Sequence, residues 1–474
     1  MTVLSRRRQQ LVLATCCSSL LIVGMDITIV NVALPSIAQE FGGGVAGLQW
    51  VLDAYTVVLA GLLIVSGSTA DRLGRKRTFQ IGLIVFTVGS LLCSVAPGLG
   101  WLVVFRMVQA VGGSMLNPVA LSIITTMFPD PRERSRAIGV FGGVLGLSMG
   151  LGPIVGGALT DGIGWRAIFL VNIPIGIAAL VLTALFVPES KAARARALDP
   201  VGQVLVIALM AGLTFAIIES PRDGWATPVV AVPLAIAVCS LAGLLWYEPR
   251  RAEPLIEFRF FRSVPFSGAS LIAVCAIGGF SGFLFFATLY LQAVRGLSPL
   301  EAGLATTPMA AMVLVGAPLS GRIVGTHGPR WPLVCAGVGM TAGSAMLLGL
   351  SATTSYLHLV IAFAVFGAGF GLVNPPITNA AISGMPRAQA GVAAAFASTS
   401  RQVGAALGVA VIGAMINTGA ATEVGAGVLA RAGAVQVIVV CCGVAVAVLA
   451  FLTSTAGARR TADRTAAELD PVVG

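Results

Sequence analysis

Charge is scarce in this chain. Of 474 residues, 29 are Lys or Arg and 19 are Asp or Glu, a charged share of 10%, where soluble proteins carry about 25%. So small a supply cannot cover the surface of a soluble globule of this length. Histidine occurs twice, at His327 and His358, both near the ends of apolar runs, which argues against a His-rich metal centre. The eight cysteines (Cys16, Cys17, Cys93, Cys239, Cys275, Cys335, Cys441 and Cys442) all lie inside apolar runs. Their spacing is neither that of loop disulfides nor that of a metal site, so they read as small core residues. A phosphate-binding Gly-x-x-x-x-Gly-Lys-Ser/Thr loop is missing, and no stretch has room for a soluble nucleotide-binding domain, which argues against a primary pump. Clustered His, Cys or paired carboxylates at one depth are missing too, so neither an enzyme nor a resident metal or cofactor is expected.

What the chain has is apolar length. It is 57% hydrophobic with 58 glycines, and its apolar residues run in blocks of about twenty, the number a helix needs to cross a hydrocarbon layer about 30 Å thick. Breaks at Pro, Gly and charge clusters leave runs near 11–34, 49–70, 79–97, 102–128, 136–160 and 166–187, two more near 199–218 and 228–247, and a last group near 266–292, 300–324, 331–350, 356–381, 390–416 and 432–453. The expectation is an all-α membrane protein of fourteen spans. Arg6, Arg7 and Arg8 before an apolar stretch resemble a signal peptide, but that stretch runs past Asp26 to Leu34, too long for one. Leu13-Ala14-Thr15-Cys16 is only faintly like a lipoprotein cleavage site.

The net charge of +10 does not point to nucleic acid, because the basic residues form no stripe interleaved with aromatics. They sit instead in short clusters between runs. With the N-terminus inside, 23 of the 29 fall on inner segments: Arg6–Arg8, Arg72 to Arg77, Arg132 to Arg136, Lys191 to Arg196, Arg250 to Arg262, Arg322 with Arg330, Arg387, and Arg459 to Arg464. Arg166, Arg222, Arg295 and Arg431 fall outside; Arg106 and Arg401 lie within spans. By the positive-inside rule this asymmetry puts both ends in the cytoplasm and favours an even number of spans.

The chain also repeats itself. Gly112-Gly-Ser-Met-Leu-Asn117-Pro118 and Gly369-Phe-Gly-Leu-Val-Asn374-Pro375 share a pattern, and each precedes a Pro-Arg pair, Pro131-Arg132 and Pro386-Arg387. The expected organisation is a six-helix bundle over 1–190, two additional helices with linkers over 191–261, a second six-helix bundle over 262–455, and a cytoplasmic tail over 456–474. Parallel halves of this kind build rocking transporters with a binding site at the midplane. Chance recurrence of Gly and Asn-Pro in Gly-rich helices is the plainer alternative.

A charge at the bilayer centre costs about 2.5–3.5 kcal/mol on insertion scales, so each intramembrane charge needs a reason. Asp26 sits mid-span, followed by Thr28 and by Asn31 about one turn on. A carboxylate held among apolar walls can carry a proton or attract a cationic substrate; a structural carboxylate bonded to a neighbouring helix is the other possibility. Arg106, with Gln109 one turn on, must face a cavity or pair with an acid or backbone carbonyls. Snorkelling is the weaker alternative, since Trp101 already marks the outer end of that helix. Arg401 with Gln402 poses the same question. Asp53, near the outer end of the second span, is expected to meet water and to act at a helix end at least as readily as in coupling. Glu219 and Glu301 also fall at outer ends. Gly67, Asp71, Arg72, Gly74, Arg75 and Lys76 close the second span; Asp71 suits a latch that pairs with basic residues and releases, or belongs to a plain basic loop. In the fifth span Gly152 and Gly156, with Gly157 beside them, form a small-residue face for close packing, and Pro153 permits a kink.

Taken together these residues resemble the major facilitator superfamily, and within it the fourteen-span drug:proton antiporters, over all but the last fifteen or so residues. Gly67-Ser-Thr-Ala-Asp71-Arg72-Leu-Gly74-Arg75-Lys76-Arg77 resembles the superfamily's loop 2–3 motif, and Gly152-Pro153-Ile-Val-Gly156-Gly157 the antiporter motif of the fifth helix. The stretch from Asp26 to Pro35 is similar to the first-helix signature of drug exporters. Trp165-Arg166 with Phe169, Asn172, Pro174 and Gly176 is similar to the sixth-helix stretch of the fourteen-span branch. Arg106 and Gln109 match the fourth-helix motif, whose Arg is implicated in proton coupling. Departures are Ala110 where the motif has Gly, Ser148 where the fifth-helix pattern has Gly, no acid matching Asp71 in the second-half loop, and no acid in the tenth helix between Ala302 and Gly321, which disfavours dicationic cargo. The resemblance implies a major facilitator fold in the cytoplasmic membrane: a monomeric antiporter that exports amphipathic drug-like compounds against protons, with Asp26, Arg106, Asp53, Asn31 and Gln109 in coupling and substrate contact and no cofactor beyond the proton gradient. A proton-coupled exporter or importer of one metabolite on the same fold is the rival reading. Among the aromatics, Phe280, Phe283, Phe285, Phe286 and Tyr290, along with Met115, are candidates to shape a pocket.

Overall fold

The computed structural model describes residues 6–191, 199–251, 254–383, 385, 390–417 and 424–469. Arg194, Arg196, Pro386 and Arg387, which entered the charge tally and the repeat, lie outside the described residues, as do the last five residues of the tail. All regular structure among the described residues is helical. In the N-terminal part these are α1 (Arg6–Phe41), α2 (Val45–Leu73), α3 (Arg75–Ser94), α4 (Leu99–Met127), α5 (Pro131–Gly162), α6 (Ala167–Leu170) and α7 (Asn172–Phe186). Next come α8 (Pro200–Asp223) and α9 (Pro228–Tyr247), then α10 (Val264–Leu289), α11 (Pro299–Ala305), α12 (Thr307–His327) and α13 (Arg330–Ala345). The chain continues through α14 (Tyr356–Gly371), α15 (Asn374–Ile382), α16 (Ala390–Ile416), α17 (Val424–Thr453) and α18 (Ala456–Leu469).

Thirteen helical stretches among the described residues have the length and apolarity to cross a membrane. The run read as a span over 331–350 is α13, 16 residues long, or about 24 Å at 1.5 Å per residue. It then passes into turns closed by Leu347 N to Ser344 O at 2.9 Å and Leu348 N to Ala345 O at 3.1 Å. Three other runs are interrupted, each where a proline ring would meet the carbonyl four residues back. Pro174 follows the end of α6 at Leu170, Pro308 faces Leu304 near the end of α11, and Pro375 faces Gly371, the last residue of α14. Proline alone does not force a break: Pro35, Pro118 and Pro153 lie inside α1, α4 and α5. The Asn-Pro of the first repeat copy is therefore helical throughout. The second copy, where Pro376 removes another donor, opens between α14 and α15.

The helices gather into two units, Met1–Gln203 with Ser298–Leu304, and Val204–Leu297 with Ala305–Gly474. In the first, α1 packs along α5 and α7, α2 against α4, and α3 against α4 and α7. In the second, α10 packs along α16 and α17, α12 against α14, and α13 against α14 and α17. The order of partners is the same. So is the device that brings the first and fifth helices of each set together. A Cβ at Gly156 would stand 2.8 Å from Ile29 O on α1, and one at Gly408 would stand 2.1 Å from Gly278 O on α10. Both glycines have a partner four residues earlier, Gly152 and Gly404, in equally close contact with the facing helix, the small-xxx-small arrangement of close helix pairs.

The first unit's core is apolar, with Tyr55, Phe79, Leu83, Phe86, Leu116 and Ile123 buried between α2, α3 and α4. The start of α8 is tied to this unit: Asp199 Oδ1 accepts from Gly202 N at 2.9 Å, and the Gln203 amide donates to Gly61 O on α2. In the second unit α9 meets α8 where a Cβ on Gly212 would stand 2.4 Å from Pro233 O. The other side of α9 exposes Val229, Val232, Ile236, Leu241, Leu245 and Trp246, apolar surface of the kind hydrocarbon covers. The residues expected as a tail carry α18, which is joined to the segment before α10 by Arg262 Nη1 to Glu468 Oε2 at 2.8 Å.

Candidate functional site

At the centre of the first unit two opposite charges are shut away together. Asp26 on α1 is 0% exposed and Arg106 on α4 is 1% exposed, so each would be costly alone and is tolerable only with a partner. Arg106 Nη1 donates to Asp26 Oδ2 at 2.5 Å and to Gln109 Oε1 at 2.7 Å. Gln109 in turn donates from Nε2 to Asp26 Oδ1 at 2.9 Å and to Ser90 Oγ at 2.8 Å. Asn172, at the start of α7, donates to Asp26 Oδ1 at 3.3 Å. Arg106 Nε donates to the Val51 carbonyl on α2 at 3.2 Å, and its guanidinium lies 4.1 Å above the Tyr55 ring. Five helices thus contribute, and the carboxylate accepts from three side chains. Arg106 and Gln109 share a face because residues three apart on a helix are neighbours.

Glycine sets how close these helices come. A Cβ on Gly112 would stand 2.2 Å from Phe86 N, and one on Gly89 would stand 2.6 Å from Gln109 Cα; α3 and α4 therefore touch backbone to backbone at the level of the network. On the other side of α1, a Cβ on Gly152 would stand 2.0 Å from Thr28 Oγ1, two residues after Asp26. The antiporter-like glycines thus hold α5 against α1 beside the carboxylate. Gly157 faces a different neighbour: its Cβ would stand 2.5 Å from Pro299 O, while the Pro153 carbonyl lies where a Cβ on Gly303 would stand, 2.2 Å away.

The loop motif is built on one glycine. Gly74 ends α2 and begins α3 at φ 109°, a backbone that L side chains rarely adopt. Gly67, by contrast, lies inside α2 and takes no part in the turn. Beside Gly74, Asp71 Oδ1 and Arg75 Nη2 stand 3.6 Å apart, Arg75 Nη1 donates to Thr126 on α4, and Lys76 Nζ donates to the Ala184 carbonyl on α7 at 2.8 Å. Glu189, just past α7, accepts from Lys76 N at 3.2 Å, and Arg77 Nε is 3.8 Å from it. Arg72 is exposed. At the far end of α1, Glu40 takes two bonds from Arg166 and one from Trp165, all at 2.7 Å. The bond to Glu40 lifts the Arg166 guanidinium above its ordinary value.

Of the residues singled out in the sequence, the fold brings Asp26, Arg106 and Gln109 into one network and leaves two outside it. Asn31 is five residues from Asp26, about 140° around the helix; its amide donates to its own Ile27 carbonyl at 3.2 Å, and its Oδ1 is buried without a hydrogen bond. Asp53 was expected to meet water and does not. It is 0% exposed, because α2 begins two turns earlier at Val45. Its Oδ1 receives only a long bond from Thr56 at 3.5 Å, and its Oδ2 has no hydrogen-bond partner. Ser90, Tyr55 and the Val51 carbonyl went unnoticed in the sequence. Asn172 stood out only through the resemblance of its stretch. A polar residue within an apolar run was the available signal for all but the carbonyl. The aromatics Phe280, Phe283, Phe285, Phe286 and Tyr290 are buried within the second unit, where Phe280 stacks on Phe370 at 3.9 Å and Phe283 on Phe366 at 4.1 Å.

Residues 16–409 match the model of the Major Facilitator Superfamily. The chain is 37% identical over 400 residues to the tetracenomycin C resistance and export protein of Streptomyces glaucescens, covering 84% of this chain and 74% of that protein. It is 35% identical over 410 residues to the multidrug resistance protein Stp of Mycobacterium tuberculosis, covering 86% and 76%. It is 32% identical over 394 residues to the methylenomycin A resistance protein of Streptomyces coelicolor, covering 83% of each. Among solved structures, a bacterial homologue of the human lysosomal transporter Spinster, in an inward-facing and occupied conformation, shares the fold with a TM-score of 0.65 at 19% identity over 98% of this chain and 100% of that one. By these matches, and by its long apolar helices, this multi-pass membrane protein belongs to the Major Facilitator Superfamily.

Proposed function

We propose that this protein exports amphipathic drugs or antibiotics from the cell, driven by inward movement of protons. Relatives named for resistance and export support the cargo class. The single observation that carries the coupling is the closed network of Asp26, Arg106, Gln109, Ser90 and Asn172. A carboxylate that takes a proton there releases Arg106 from its only acidic partner within the network. The unit then holds one uncompensated buried cation in place of a neutral pair, and such a change of a few kcal/mol suffices to bias two conformations. A proton from outside displaces the cargo, the loaded protein closes outward and opens inward, and the proton leaves as new cargo binds. Gln109 and Asn172 hold Asp26 Oδ1 through the exchange; Asp53, buried with its Oδ2 unbonded, is a second candidate proton site.

In this reading the protein lies in the cytoplasmic membrane as a monomer. It has fourteen spans with both ends in the cytoplasm, α13 and its turns counting as one span, and uses no cofactor. The positive-inside tally supports the orientation. The test is efflux from vesicles bearing Asp26→Asn under an imposed pH gradient. Loss of gradient-driven efflux is expected; undiminished efflux removes Asp26 from the mechanism.

A further inference from the structure

The second unit contains a cation with no acidic partner among the described residues. Arg401 lies near the middle of α16, half-buried, in a helix otherwise free of charged residues. From Val264 to Thr453 the sequence has two acids only, Glu301 and Glu423. Glu301 is exposed ahead of α12, and Glu423 falls between α16 and α17 in the sequence. Among the described residues, none of the membrane-length helices from α10 to α17 carries a carboxylate; the acids of α8, Glu219 and Asp223, stand at that helix's C-terminal end. Among the described residues, the hydrogen-bond partner of the Arg401 side chain is Thr378 Oγ1 on α15, 3.4 Å from Nη1. That is a neutral and distant acceptor, whereas Arg106 has a carboxylate, an amide oxygen, a backbone carbonyl and an aromatic face. Arginine holds its charge where a lysine or histidine would shed it, and its planar fork suits a carboxylate. A half-buried guanidinium with most of its donors unused requires an anion or water opposite it.

We propose that Arg401, positioned by the Thr378 hydroxyl, which accepts from Nη1 and donates to the Asn374 carbonyl at 3.3 Å, is the recognition point for an anionic group on the exported compound, a carboxylate or an ionised phenol or enol. Asn374, one turn before Thr378 and on the same side of α15, adds an amide donor to that face. The proposal rests on the export reading above and narrows it: the preferred cargo is an organic anion with an apolar body. It agrees with the lack of any acid in α12 that would draw a dication.

The test uses matched pairs of dyes that differ in one carboxylate and carry no phenol: rhodamine B with its ethyl ester, and rhodamine 110 with its methyl ester. Affinities for the purified full-length protein are read by fluorescence anisotropy, and efflux of the same dyes is followed from cells. The acid is expected to bind tighter than the ester by about tenfold or more, the range of a charge-assisted hydrogen bond. In Arg401→Gln the acid-to-ester ratio falls to near one, in Arg401→Lys part of it remains, and in Thr378→Val it drops by about threefold. Equal affinity for acid and ester in the wild-type protein, a ratio unchanged in Arg401→Gln, or no binding of any of the four dyes overturns the proposal. Equal export of acids and esters refutes the anion site and leaves the export reading standing, whereas a lack of energy-dependent efflux of all four dyes counts against both.

Discussion

The buried pair lends itself to a quantitative test. Asp26→Asn keeps the shape of the side chain and an oxygen able to accept from Gln109 Nε2 and Asn172 Nδ2, now at 2.9 and 3.3 Å. It removes the negative charge and sets an amide NH2 where Oδ2 accepted from Arg106 Nη1. Arg106, 1% exposed, has no solvent to turn to and keeps Gln109 Oε1, the Val51 carbonyl and the Tyr55 ring. Breaking a buried pair on one side costs about 3–5 kcal/mol. The remaining partners place this variant near the lower end, about 3 kcal/mol. Arg106→Gln alone leaves Asp26 with its two amide donors and costs a similar amount. The double variant Asp26→Asn/Arg106→Gln is neutral again and loses about 3 kcal/mol, no more than either single variant and not the additive sum of about 6, giving a coupling of about 3 kcal/mol in the cycle. Urea titration of the purified protein, followed by Trp fluorescence, measures all four corners. Additive losses in the double variant, or single variants as stable as the parent, refute the view that the two charges compensate each other. The double variant is also expected to fold yet transport nothing against a gradient, which separates stability from coupling.

Asp53→Asn is expected to change stability by less than about 1 kcal/mol, because Oδ2 has no hydrogen-bond partner to lose; a loss as large as that of Asp26→Asn in the same titration would show a partnership the structure does not contain. Gly112→Val pushes a side chain into Phe86 N, 2.2 Å from the first added carbon. Since backbone cannot step aside cheaply, a loss of about 3 kcal/mol or failure to accumulate in the membrane is expected, checked by immunoblot and unfolding. Gly74→Ala meets both a positive φ and the Glu189 carboxylate, 2.4 Å from its Cβ, and is expected to cost about 1–3 kcal/mol. Glu189→Ala in the Gly74→Ala background removes the overlapping carboxyl group and is expected to leave only the backbone part of that cost in the same unfolding titration. Arg77→Ala breaks a largely exposed pair at 3.8 Å and should cost less than about 1 kcal/mol, with the shift in melting temperature as the readout.

Much of the architecture was legible because the bilayer imposes a strong constraint. A helix must satisfy its own backbone and be apolar for about twenty residues, so the runs, the scarcity of charge and the motif residues could be read directly. Asp26, Arg106 and Gln109 stood out for the same reason: a polar atom in an apolar run has to be accounted for. What the linear chain could not supply was depth and direction. Asp53 was placed near water by its distance from the start of an apolar run, but α2 begins about one turn before that start, at Val45, and Asp53 is buried. Asn31 lies close to Asp26 along the chain and yet points away, since five residues are not a whole number of turns.

The sequence by itself determined that the chain is helical and spans a membrane, where its bends can fall, and which few charges must be paid for by pairing, because hydrophobic length, proline chemistry and desolvation act locally. Only the tertiary structure decided that Asp26 meets Arg106 across 80 positions of chain, that Ser90 and Asn172 complete the circle, that Gly404 and Gly408 repeat the packing of Gly152 and Gly156, and that Arg401 has no acidic partner among the described residues. Those outcomes depend on which faces of separate helices meet. That is set by the fit of many small surfaces at once, and no single stretch of sequence contains it.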